Sequence, residues 1–282
     1  VLLSNTQACT PRHALWVGDH RAVIHVLPRV TPRTFDYAQG GRELARHVKA
    51  KLLAHVDEDW RLAQQGRAFR HNIRSLYSYR GAYAEHYIAW KLRIDPIFEH
   101  ADEFVPREGL VLDLGCGYGL MANVLARKSL RRQVIGVDFD ERKIAVARST
   151  AAASENVAFE LGDLFAWQGP AADAAVLADV VHYWDLERQR RLIARAAACL
   201  REGGTLLFRD LCDARTWRHR LTAATERFAT LSGHNRAGQG LHYGTREFYL
   251  RAFAEAGLTL RAEPAQLNVG SNYSAVLRKG AP

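Results

Sequence analysis

The sequence predicts an α/β protein: a mostly parallel, doubly wound, seven-stranded sheet ending in an antiparallel hairpin, with further strands and helices at its N-terminal side. Three observations lead there. From about residue 109, short apolar runs alternate with helical repeats, the rhythm of parallel strands joined by right-handed crossovers. The last two strand-like runs have no helix between them and call for antiparallel pairing. A chain of 282 residues, 48% hydrophobic and 24% charged, can fill a large core and a smaller neighbouring segment.

Before residue 60 the apolar pieces are short, at 1–3, 14–17 and 22–27. Pro11, Gly18-Asp19, Pro28 and Pro32 break them, so strands joined by turns are expected. The sequence opens at Val1 inside such a run and reads as starting within a domain. Leu44, Val48, Leu52, Leu53 and Val56 then have helical spacing. Residues 66–104 are helical in character and aromatic, with Phe69, Tyr77, Tyr79, Tyr83, Tyr87, Trp90 and Phe98. A strand at 110–114 leads through a glycine loop into a helix bearing Leu120, Val124 and Leu125. A second strand at 133–137 precedes an Asp140-capped helix with Ile144, Ala147 and Ala151. The third and fourth strands fall at 157–161 and 174–180. Asp185 caps a helix with Ile193, Ala196, Ala197 and Leu200 on one face; Gly203-Gly204 ends it, and 205–208 is the fifth strand. A helix over 245–256, closed by Gly257, and strands at 258–261 and 273–278 complete the order. The expected organisation is an N-terminal segment over 1–60, a helical bridge or lid over 61–108 and a ligand-binding domain over 109–282.

Composition narrows the function classes. Cys9, Cys116, Cys199 and Cys212 lie far apart, with no CxxC pair and no Cys/His cluster, so neither a metal site nor a redox dithiol is expected. A reducing, cytoplasmic compartment fits that usage. No apolar run approaches the roughly 20 residues of a membrane-spanning helix. The net charge of +9 is spread over both halves of the chain, unlike a nucleic-acid-binding arm, so nucleic acid is not an expected partner. In the densest basic stretch, Arg61, Arg67, Arg70, Arg74, Arg80, Lys91 and Arg93 face only Glu85. It reads as a solvated helix face or as helix–helix ion pairs, with peripheral contact to an anionic membrane surface or an acidic substrate as the alternative.

A doubly wound sheet binds its ligand beyond the carboxyl ends of its strands, where strand order reverses. The loop expected there is Asp113-Leu114-Gly115-Cys116-Gly117-Tyr118-Gly119. Gly115 and Gly117 permit positive φ and close backbone approach, and the following helix turns its positive end to the same space. A dinucleotide-binding loop would need a third glycine at position 120, where Leu120 stands. Asp113 disfavours a pyrophosphate and suits an ammonium group. S-adenosylmethionine has an ammonium, a carboxylate and a sulfonium, and no phosphate. Asp138, at the end of the second strand, is placed to accept from both ribose hydroxyls. Asp163 follows the third strand and can accept from the adenine amino group, and Asp179 closes the fourth beside the expected reaction centre. Cys116, Phe139 and Leu164 adjoin these positions and complete the expected cofactor contacts.

The motifs at 111–119, 136–138, 162–163, 177–180 and 200–206 together give residues 109–279 a resemblance to a class I S-adenosylmethionine-dependent methyltransferase with a Rossmann-like fold. That resemblance implies methyl transfer and cofactor contacts at Asp113, Gly115, Gly117, Asp138, Asp163 and Asp179; it says little about the acceptor. A second resemblance covers roughly residues 1–60, where 1–32 is similar to the closing portion of glycerolipid acyltransferases of the lysophosphatidic acid acyltransferase type. The catalytic HxxxxD box of that family is not matched, since no His has an Asp five residues on. The implied origin is the C-terminal part of an acyltransferase–methyltransferase fusion in lipid or polyene-lipid biosynthesis.

Methyl transfer is an in-line displacement at a sulfonium carbon, and a base matters only where the acceptor must lose a proton. His182, just beyond the fourth strand, is the candidate base or acceptor-orienting residue; packing of the pocket wall is its other reading. Tyr83, Tyr87 and Tyr183 are candidate acceptor contacts, against the plainer reading of an aromatic helix packed on the domain. Asp210 reads as a structural or capping residue. The expected acceptor is a small apolar, aromatic or lipid-linked molecule. An NAD-dependent dehydrogenase on the same fold and a non-catalytic membrane- or partner-binding module stay open. An RNA methyltransferase fits less well, because no basic stripe adjoins the cofactor edge.

Overall fold

A computed structural model describes residues 2–4, 23–25, 66–151, 154–212 and 241–280, the first two segments as backbone. Those two, β1 (Leu2–Ser4) and β2 (Val23–His25), pair antiparallel with Leu3 opposite Ile24. The helix expected around 44–56, and the rest of the acyltransferase-like stretch, lie outside the described residues.

One sheet contains β3 (Gly109–Leu114), β4 (Arg132–Asp138), β5 (Val157–Leu161), β6 (Ala172–Ala178), β7 (Leu200–Leu211), β8 (Leu258–Ala262) and β9 (Asn272–Lys279). Its order is β5-β4-β3-β6-β7-β9-β8. Strands β3 to β7 are parallel, and β9 runs antiparallel to both β7 and β8. The chain steps outward from β3 to β4 and β5, then returns to the other side of β3 for β6 and β7. The crevice between the β3 and β6 tips is therefore the point where strand order reverses.

The central strands are buried on both faces, which is why they read as apolar runs rather than as alternation. Val111, Val134, Val176 and Leu207 pack under α3 (Leu120–Lys128) and α4 (Glu141–Ala151). Leu112, Leu114, Leu177, Leu206 and Phe208 pack under α5 (Leu186–Ala198) and α6 (Arg246–Glu255). Asp185 caps α5 by accepting from the Arg188 amide at 2.8 Å, and Thr245 caps α6 through the Phe248 amide at 3.1 Å. Sequence and structure part at the end of α5. Leu200 already pairs with Ala172 in β7, and the Gly203-Gly204 pair lies in a register shift before Thr205 meets Ala174. Gly203 has φ 72, and left-handed glycine serves a bulge as readily as a helix stop.

α1 (Gly66–Ser75) and α2 (Ala82–Ile94) add a layer over α3. α2 carries two apolar stripes. Ala84, Ile88 and Leu92 are buried, the last two against Phe69, Ile73, Tyr77, Leu120 and Val124. Tyr83, Tyr87, Trp90 and Ile94 line the crevice. The buried Tyr77 hydroxyl donates to the Tyr118 carbonyl at 3.1 Å and accepts from Asn123 Nδ2 at 3.1 Å, fastening this layer to the glycine loop. Among the described residues no helix is long and apolar enough to cross a membrane.

Candidate functional site

The glycine loop leaves β3 under two different constraints. Gly115 has φ 79, and a Cβ there would run into the Val180 side chain, so only glycine fits. Gly117 has φ 53, but its missing Cβ would meet nothing within 4 Å, so its bare backbone forms open cavity wall. The loop spends its own amides on the neighbouring strand. Gly115 and Cys116 donate to the Val137 carbonyl at 2.8 and 2.9 Å, and Gly117 donates to Asp138 Oδ2 at 2.8 Å. These three amides hold the bend in shape rather than reaching for a ligand.

Beside the bend stand the acids of three successive strands. Asp113, buried on the α3 side of β3, accepts from the Ala122 amide at 3.0 Å. Burial above all, with the negative charge of Asp138 added, pushes its carboxyl up to about 7. A buried acid in that state is a site prepared for a cation. Asp138 accepts from the Gly117 amide on one oxygen and from the Asp140 amide, at 2.9 Å, on the other. Each oxygen retains a second lone pair for an outside donor. Asp163 is exposed and accepts from the Phe165 amide at 2.9 Å.

Across the crevice, the β6–β7 side holds a second set of groups. His182 is buried in a helical turn after β6, and its Nδ1 lies 2.6 Å from Asp210 Oδ1. Asp210, at the tip of β7, also accepts from the Val180, Val181 and Leu211 amides at 2.9, 2.7 and 2.6 Å. Against this carboxylate the ring proton sits on Nδ1, leaving Nε2 as the basic nitrogen. The Tyr183 ring lies 4.1 Å from that of His182. Tyr83 and Tyr87 stack at 6.0 Å, and both rings lean on Tyr118 of the glycine loop.

Asp179 sits between the two sides with φ 58, a left-handed conformation uncommon outside glycine though tolerated by Asp. Its carboxylate is engaged by Arg209 through both Nε (3.1 Å) and a terminal nitrogen, by Asn272 Nδ2 (3.2 Å) and by Lys91 Nζ (3.4 Å). Burial alone would raise its pKa, but Arg209 and Lys91 hold it well below the usual carboxylate range. Arg209 also grips Asp95 bidentately at 2.6 and 2.8 Å, and Lys91 reaches Asp95 at 3.0 Å. The end of α2 is thereby tied to the strand tips.

One cavity of about 490 Å³, within the usual range for small-molecule sites, brings these groups together. Asp113, Gly115, Cys116, Gly117, Asp138, Phe139, Asp163, Leu164, Asp179, His182, Tyr83, Tyr87 and Tyr183 all line it. Sequence reasoning missed Lys91, Asp95, Arg209 and Asn272, and gave Asp210 no part in orienting His182. Arg209 and Asp95 are 114 residues apart, so no local spacing announces the pair. The one usable signal was the Arg-Asp step that follows the apolar Leu206-Leu207-Phe208 run of β7, where buried charges require partners.

Residues 111–204 match the family described as a methyltransferase domain. Trans-aconitate 2-methyltransferase of Rhizobium meliloti (strain 1021) is 34% identical over 98 residues, 35% of this chain and 37% of that protein. A probable S-adenosylmethionine-dependent methyltransferase of Mycobacterium tuberculosis (strain ATCC 25618 / H37Rv) is 38% identical over 104 residues, 34% of each. The chain spans about a third to a half of the length of the curated relatives it matches. Among solved structures, an O-methyltransferase family 2 protein from Planctomyces limnophilus, in complex with apigenin, has a TM-score of 0.55 at 19% identity. It covers 78% of this chain and 64% of that one and shares its fold. Residues 111–204 are thus similar to methyltransferase domains, among them a probable S-adenosylmethionine-dependent one, and the described core has the Rossmann-like fold of the solved O-methyltransferase.

Proposed function

We propose that the chain transfers a methyl group from S-adenosylmethionine to a small apolar, aromatic or lipid-linked acceptor. The observation that carries this reading is one cavity at the reversal point of the sheet, with Asp113, Asp138 and Asp163 on one side and the His182–Asp210 pair on the other. The open wall at Gly117 and the cation-ready Asp113 both fit the cofactor. Asp113 would hold its ammonium, Asp138 its ribose hydroxyls and Asp163 its adenine amino group. Phe139, Leu164 and the bend at Gly115, Cys116 and Gly117 would enclose it, and Asp179 would face the reaction centre. The cofactor supplies an electrophilic methyl on a sulfonium, a leaving group that needs no acid.

The protein's share of the chemistry is then positioning and proton removal. The aromatic wall of Tyr83, Tyr87 and Tyr183 would set the acceptor about 3 Å from the methyl and keep water away. His182 Nε2 would take the acceptor's proton, and Asp210 would steady the imidazolium that results. Five exposed apolar side chains, Tyr83, Trp90, Ile94, Phe139 and Val269, line the same cavity. Such a rim suits peripheral contact with a membrane that presents a lipid-linked acceptor. The lipid setting also draws on the acyltransferase-like residues 1–60 and the fusion they imply. Incubation with isotopically labelled S-adenosylmethionine and a lipid extract, read by mass spectrometry, should give labelled product; intact cofactor and no labelled species would refute the reading.

A further inference from the structure

We propose that the network of Asp95, Arg209, Asp179 and Lys91 is a charge filter that turns away acidic acceptors and admits uncharged ones. The proposal rests on the methyltransferase reading and deepens it by naming the substrate class. The network closes the β6–β7 end of the cavity, beside the aromatic stripe of α2 where an acceptor would lie. A carboxylate acceptor held there would need a positive group with donors to spare.

The fixed cations at this end have one such donor between them at most. Arg209 has five N–H donors, and five hydrogen bonds consume them: two to Asp95, two to Asp179 and one to the Leu267 carbonyl. Lys91 gives two of its three donors to Asp95 and Asp179. The two positive and two negative charges balance. Their depth decides what a ligand meets: side-chain exposure is 1% for Arg209 and Asp95, 17% for Lys91 and 27% for Asp179. All four line the cavity, and the most exposed of them is the Asp179 carboxylate. Asn272, the other polar side chain on this group, also donates to Asp179. An incoming carboxylate would lose its water, find at most one donor in the network and face a like charge, the repulsive element that specificity requires.

The test uses the full chain and two probes of matched shape, benzoate and benzamide, titrated by ligand-observed NMR with and without S-adenosylmethionine. Wild-type protein should bind benzamide at least tenfold more tightly than benzoate. Asp179→Asn, which keeps the shape and removes the facing charge, should narrow that ratio at least tenfold by improving benzoate. Asp95→Asn should narrow it too, by leaving Arg209 with surplus positive charge, and it decides the matter if Asp179→Asn fails to fold. Equal or tighter benzoate binding in the wild type, a ratio unchanged in the folded variants, or no binding of either probe would overturn the filter. Absence of S-adenosylmethionine binding in the wild type would instead refute the methyltransferase reading, and the probe ratio would still judge the filter.

Discussion

Lowering the pH from 8 to 6 should weaken S-adenosylmethionine binding about tenfold through Asp113. This carboxyl is buried, with the Ala122 amide as donor and Asp138 as a like-charged neighbour, and its pKa is raised from 3.8 to about 7. An ammonium set against it binds the ionised form. With a midpoint near 7, about 90% of the protein is competent at pH 8 and about 10% at pH 6, which is the tenfold loss of affinity. Titration calorimetry at the two pH values, in buffers of different ionisation heat, should also show close to one proton released per cofactor at pH 6. Asp113→Asn should abolish that dependence and bind weakly at both. The sign for folding is opposite. The folded carboxyl keeps its proton where the unfolded one has lost it, so ligand-free protein loses stability as pH rises from about 4 to 7, by ~4 kcal/mol at the upper limit. Asp113→Asn should therefore melt higher than wild type at pH 8 without cofactor. Affinity that is flat between pH 6 and 8, or tighter at 6, would refute the ammonium role.

His182→Ala should lower turnover by at least about a hundredfold while cofactor affinity measured by calorimetry stays nearly unchanged; wild-type rates would remove the base. Asp138→Ala should weaken cofactor binding at least tenfold, about 1.4 kcal/mol, and unchanged binding would reject the ribose assignment. Gly117→Ala should cost about 1–2 kcal/mol in denaturant unfolding and also weaken cofactor binding, because its Cβ enters the cavity wall. Gly115→Ala adds a collision with Val180 to the same backbone strain and should cost clearly more stability; equal losses would contradict the packing described.

The strand–helix rhythm was legible because each central strand is buried on both faces and stands out as an apolar run, while Asp140, Asp185 and Thr245 mark helix starts. The loop and its acids were legible because they sit within a few residues of strand ends, where local sequence determines position. The same pattern misled at Gly203-Gly204, since a positive-φ glycine does not distinguish a helix stop from a bulge. What stayed hidden depends on contacts between distant elements. Tyr77 reaches Tyr118 over 41 residues, His182 reaches Asp210 over 28, and Asp95 reaches Arg209 over 114. Each is a buried polar group that must find a partner, but the partner is chosen by topology. The second apolar stripe of α2 was likewise ambiguous, because an aromatic that packs and an aromatic that lines a cavity look alike in a sequence.

A crystal structure of the protein with S-adenosylhomocysteine tests the strand-tip acids most directly. The ribose hydroxyls should lie within hydrogen-bond distance of Asp138, the amino group against Asp113 and the adenine beside Asp163, with the sulfur facing His182 and Asp179. A nucleoside bound elsewhere, or one in this cavity that touches neither Asp113 nor Asp138, would contradict the assignment.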